Sequence, residues 1–133
     1  MRTHLRWLRD ERGQSLTEFA LVAPLLLLLV FGILDLGRYF YAHLSLQLTA
    51  QETVRLGGLG RSDEELRTFA AAHFGTGGAS ALTVTIEPGD ASRDSGDYVT
   101  VTLEQPFAFV TPLANELLST VANVSATSTI RVE

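Results

Sequence analysis

The chain of 133 residues contains no cysteine. Disulfide staples, thiolate nucleophiles and cysteine-based metal sites are excluded together, and stability must come from burial. Basic charge is scarce over most of the length. Arg2, Arg6, Arg9 and Arg12 stand against only Asp10 and Glu11 in residues 1–13, so with a net charge of −5 overall the remainder carries −7. Such a surface disfavours polyphosphate ligands, nucleic acid included. Histidine is limited to His4, His43 and His73, far apart in sequence and without a second ligand at metal spacing. No Gly-x-Ser-x-Gly occurs and no Ser-His-Asp grouping can be argued, so Ser92, Ser95 and Ser125 read as loop or strand residues. Asp90, Asp94 and Asp97 do not have EF-hand spacing and read as a solvated loop. Gly75, Gly77 and Gly78 precede a strand pattern rather than a helix, so they are not a phosphate cradle. The expectation is a protein with no catalytic site, metal or cofactor of its own.

What the chain does have is one uncharged apolar run, FALVAPLLLLLVFGIL at 19–34. As a helix its 16 residues cover about 24 Å, slightly short of a hydrocarbon core of roughly 30 Å. Leu16, Thr17 and Leu36 extend it to a tolerable span, with Glu18 and Asp35 near the two interfaces. The expected division is a leader at 1–13, a transmembrane helix at 14–36, its continuation outside the bilayer at 37–60 and a small domain at 61–133. Four arginines precede the run, whereas Asp35 and a single Arg38 follow it, which places the N-terminus in the cytoplasm and the domain outside. A cleaved secretory signal has a similar basic start and apolar middle. Against that reading stand the length of the run and the lack of a small-x-small site among Asp35, Leu36, Gly37, Arg38 and Tyr39.

The junction Arg12, Gly13, Gln14, Ser15, Leu16, Thr17, Glu18, Phe19 puts a glycine five residues before a carboxylate at the mouth of the apolar helix. A glutamate there costs free energy and calls for a partner or a task, or else it snorkels to the interface with no assembly role. A cut after Gly13 would create an amino group at Gln14, one helical turn from Glu18. This pattern resembles the prepilin peptidase signal of type IV pilins, particularly Flp pilins and their TadE and TadF relatives. The longer segment RGQSLTEFALVAPLLLLLVFGILDLGRYFY at 12–41 is similar to the TadE-like pattern: Arg-Gly, Glu-Phe-Ala, an early Pro, a Leu-rich stretch, Gly, and an acid just before Gly-Arg. VSATSTIRV at 124–132 is faintly similar to that family's final strand.

The resemblance implies a pseudopilin of the tight-adherence pilus system, anchored in the inner membrane by a single pass. It implies a processing site at Gly13 and Gln14 and a helix-docking role for Glu18 and Phe19. Its implied partners are a prepilin peptidase, other pilins and pseudopilins, an inner-membrane assembly platform with a cytoplasmic ATPase, and the lipid bilayer, with no nucleic acid. Asp35 and Arg38 pair at i, i+3 as a membrane-exit contact, which serves packing or subunit contact.

Beyond the membrane, Leu36, Phe40, Leu44 and Leu48 step by four, with Tyr41, Ala50 and Val54 nearby, as on a continuing helix. LSLQL also alternates like a strand, but it lacks β-branched residues and its flanks keep helical spacing. Gly57, Gly58 and Gly60 are the expected stop. Ser62 and Glu65 form a capping-box signature for a second helix that places Leu66, Phe69, Ala70 and His73 on one face. Alternation predicts strands at 82–87, 98–104 and 123–132, with a short helix at 112–118 and a mobile polar loop at 89–97. The fold class is therefore α+β: a long N-terminal transmembrane helix continuing into a small extracytoplasmic domain with a short helix and a three-stranded antiparallel sheet. Some 70 residues are marginal for an isolated core, so the stripe at 36–54 is expected to join the domain's core or a neighbour's.

Two functional readings follow. One is a minor pilin or pseudopilin contributing to a pilus or secretion fibre. The other is an unprocessed signal-anchored protein whose outer domain binds a ligand.

Overall fold

The computed structural model describes residues 11–74, 82–118 and 123–133. The leader arginines Arg2, Arg6 and Arg9 and the glycine-rich loop expected at 75–80 lie outside the described residues. A single helix α1, Glu11–Gly58, runs without interruption for 48 residues, about 70 Å. It contains Pro24. The apolar half is uncovered by the rest of the chain: Leu16, Phe19, Leu25, Leu29 and Ile33 are all exposed.

Past Asp35 the helix acquires a buried face made of Ala42, Leu46, Thr49, Ala50, Thr53 and Val54. These positions recur at three and four residues, one stripe of a helix. The structure divides the expected stripe at 36–54 between the core and the surface. Leu36, Phe40, Leu44 and Leu48 all remain exposed, whereas Ala50 and Val54 of that stripe are buried together with Leu46. Alanine and threonine alternate with Leu46 and Val54 at the seam, so the sheet packs on a face of mixed size.

Glycine closes α1. Gly60 takes a φ of 78° and the Arg61 N–H reaches back to the Leu56 carbonyl at 3.3 Å, a Schellman-type end that glycine adopts without steric cost. Helix α2, Asp63–His73, starts from a complete capping box in which the Ser62 hydroxyl accepts from Glu65 N–H and the Glu65 carboxylate accepts from Ser62 N–H. Leu66 and Ala70 point into the core, and Phe69 stacks on His73 at 3.8 Å.

The sheet has the order β1-β2-β3, with β1 Thr83–Glu87, β2 Tyr98–Pro106 and β3 Asn123–Arg131, all antiparallel. Register places Leu103 opposite Val84 and Ala126, and these residues face α1 and α2. The other face is threonine-rich and solvated, with hydroxyl pairs Thr100–Thr129 at 2.9 Å and Thr102–Thr127 at 3.2 Å. One core therefore joins Leu46 and Val54 of α1 to Leu66 and Phe74 and to the sheet residues Val99, Val101, Leu103 and Val124. At Gly58 an added Cβ would come within 3.0 Å of Ile130 Cγ2 and 3.3 Å of the Arg131 carbonyl, so the helix end and β3 meet at glycine distance.

The polar segment at 89–97 is organised rather than loose. A 3-10 turn at Asp90–Ser92 leads to Arg93, whose side chain is only 3% exposed. Its guanidinium is bonded to the Asp63 carboxylate and to the carbonyls of Arg61 and Pro88. Asp90 and Asp97 accept backbone N–H groups of Asp63 and Asp94, respectively, so these carboxylates brace turns.

Candidate membrane-exit site

Asp35 is the first charged residue after the apolar run and is buried, 3% exposed. A buried carboxylate is costly unless its oxygens find donors. Here the turn between β2 and the next helix supplies them. Val110 N–H donates to Oδ1 at 2.8 Å, and Thr111 donates its N–H at 2.8 Å and its hydroxyl at 2.6 Å to Oδ2. Arg38, one turn further along α1, adds Nη1 to Oδ1 at 3.1 Å. Charge-assisted bonds of this kind are about twice as strong as neutral ones.

Arg38 also ties the turn down. Its Nη1 donates to the Ala108 carbonyl at 3.2 Å, and its guanidinium carbon lies 5.3 Å from the centre of the Phe107 ring. Phe107 meets Tyr39 edge-on at 5.5 Å and Phe109 at 5.1 Å. The expected pair Asp35–Arg38 is thus brought together, and the structure adds partners that lie some 70 residues away in sequence. Sequence reasoning missed Ala108, Val110 and Thr111. The available signal was a lone acid at the end of an apolar run, which needs donors from somewhere.

From Thr111 the chain enters α3, Pro112–Leu118, and the Asn115 N–H closes onto the Thr111 carbonyl at 3.0 Å. This helix buries none of its residues. With α1 it borders a cavity of about 600 Å³ lined by Leu28, Gly32, Leu36, Leu113 and Leu117 among others. A second cavity of about 690 Å³ lies on the other side of the exit turn, against Ile33, Gly37, Tyr41 and Phe107.

At the opposite end of the apolar run, Gly13 and Gln14 sit in the early turns of α1 and are exposed, as are Glu18 and Phe19. The Gln14 side-chain amide donates to Glu18 Oε1 at 3.2 Å, and the Thr17 hydroxyl donates to the Gly13 carbonyl at 2.8 Å. One turn therefore carries position 14 to Glu18. The structure does not bring this group to the exit site; the apolar run separates them. His43 lies parallel to Tyr39 on α1, while the His73 Nδ1 is 3.0 Å from the Phe69 carbonyl.

Residues 13–55 match the family described as TadE-like protein. That segment is TadE-like. The matched segment begins at Gly13 and holds Glu18, the apolar run, Asp35 and Arg38, and it ends within α1 before the sheet domain. No curated protein sequence and no solved structure matches the chain. Among the described residues one helix, carrying the TadE-like segment, is long and apolar enough to cross a bilayer, consistent with single-pass anchoring.

Proposed function

We propose that this TadE-like chain is a membrane-anchored minor pilin or pseudopilin that contributes to assembly of a Flp-type (tad) pilus or secretion fibre. The observation that carries this reading is the double use of α1. Its outer half gives one face, Ala42 to Val54, to its own sheet and leaves Leu36, Phe40, Leu44 and Leu48 uncovered. A row of large apolar side chains beside a membrane anchor fits the helix of another pilin-like subunit, packed ridges into grooves.

In this reading the arginine-rich end lies in the cytoplasm of a single-pass inner-membrane protein, with the sheet domain outside. A prepilin peptidase hydrolyses the peptide bond between Gly13 and Gln14, leaving a carboxylate on Gly13 and a free amine on Gln14. The amine stands one turn from Glu18, and within the fibre Glu18 offers its carboxylate to the N-terminus of a neighbouring subunit while Phe19 packs beside it. The chemistry belongs to the peptidase and to the ATPase of the inner-membrane platform. The chain itself is not an enzyme; it supplies surfaces.

Intact-mass measurement of membrane-purified protein tests processing: the expected mass begins at Gln14. An uncut N-terminus in cells that do process their major pilin removes the processing claim. Glu18→Ala separates assembly from simple anchoring. Fibre formation should be lost while insertion is kept, whereas a static, unprocessed anchor with a ligand-binding outer domain should tolerate the change.

A further inference from the structure

The exit turn delivers α3 to an unusual place. Thr111 is fixed to Asp35, and from there α3 borders the same cavity as Leu28 and Gly32, residues of the apolar run that precede Asp35. Leu28 lies seven positions before Asp35, about 10 Å back along the helix axis. A seven-residue α3 is about as long. It therefore descends alongside the spanning segment instead of staying with the sheet.

One face of α3 suits that depth, while the exposed Asn115 and Glu116 stand on the other, where they turn toward the headgroups. Val110, Leu113, Leu117 and Leu118 are all exposed, Leu117 at 74%, although an aqueous surface rarely carries such a cluster on so short a helix. Leu113 and Leu117 are one turn apart and share a face. Backbone polar groups entering lipid must be satisfied within the protein. The Asp35 carboxylate does this for the N–H groups of Val110 and Thr111, and Thr111 O accepts from Asn115.

We propose that α3 is a membrane-embedded element, seated among the acyl chains of the leaflet on the domain's side, with Asp35 as the tie that holds it against the spanning helix. The occupant of the apolar face is lipid, because the face is continuous with Leu28 and Gly32 of the run that itself faces lipid. The inference rests on the membrane-anchored reading of α1. It gives the sheet domain a second attachment to the bilayer and so fixes its orientation relative to the surface.

The absence of cysteine makes the test direct. Leu117→Cys, Leu28→Cys and Ser125→Cys variants of the full chain are labelled with an environment-sensitive fluorophore and reconstituted into phosphatidylcholine vesicles containing spin-labelled phosphatidylcholine. The proposal expects blue-shifted emission and strong lipid quenching at positions 117 and 28, both shielded from aqueous iodide, with the reverse at 125. Leu113→Cys should repeat the result at 117. Quenching at 28 together with iodide access at 117 overturns the proposal and leaves the anchor intact. Shielding of 117 from both quenchers means that protein, such as a second copy, covers α3, and overturns it equally. No lipid quenching at 28 overturns the membrane-anchored reading itself, and the proposal with it.

Discussion

Thr111 places both its backbone N–H and its hydroxyl on one oxygen of Asp35, at 2.8 and 2.6 Å. The two residues are 76 positions apart, yet this contact fastens the turn after β2 to the helix at the end of its apolar run. Arg38 and Val110 occupy the other oxygen, so the carboxylate is the point where the anchor and the folded domain are joined.

Removing that carboxylate should therefore be expensive. Asp35→Ala leaves the Val110 and Thr111 donors without their acceptor and Arg38 without its counter-ion, a loss of about 3 kcal/mol. Asp35→Asn keeps one acceptor oxygen and should fall between. Arg38→Ala should cost less than about 1 kcal/mol, because its side chain is half exposed and the pair is partly screened. Thermal melting of the purified chains in detergent micelles ranks the three.

Arg93 is the second such point. Arg93→Ala should destabilise by about 2–3 kcal/mol, since the Asp63 carboxylate and the carbonyls of Arg61 and Pro88 lose a nearly buried donor. Arg93→Lys restores the charge but not the forked geometry and should recover only part. Hydrogen exchange across 89–97 should rise in the alanine variant and stay slow in the parent; equal exchange in both would contradict the bracing role.

The small domain should not survive without its helix. A chain beginning at Arg61 lacks Leu46, Ala50 and Val54, and with them one wall of the core. With about 70 residues and no staple, what is left buries too little to offset its conformational entropy. Circular dichroism should show no cooperative melt; a sharp transition would show that the sheet and α2 are sufficient.

Much of this architecture is legible in the sequence because its cues are local. Ser62 with Glu65 marks the start of α2, the alternation of Val99, Val101 and Leu103 marks β2, and the glycines after Leu56 mark the end of α1. What escapes is non-local. Leu36, Phe40, Leu44 and Leu48 read as a core face because they are large, but the sheet packs on Ala42, Leu46, Ala50 and Thr53, and nothing in helical spacing announces that choice. The segment at 89–97 reads as mobile from its polarity, yet Arg93 finds its carboxylate 30 positions away. At the exit site Asp35 and Arg38 are visible as an i, i+3 pair, while Ala108, Val110 and Thr111 become partners only when the strand order brings the turn back to the helix.

The central claim is that one helix both anchors the chain in a bilayer and carries the sheet domain. Alkaline carbonate extraction of cell membranes, followed by immunodetection of the full chain, tests it most directly. The account predicts that the protein stays with the membrane pellet and is released only by detergent. Recovery of the intact chain, apolar segment included, in the soluble fraction would contradict it.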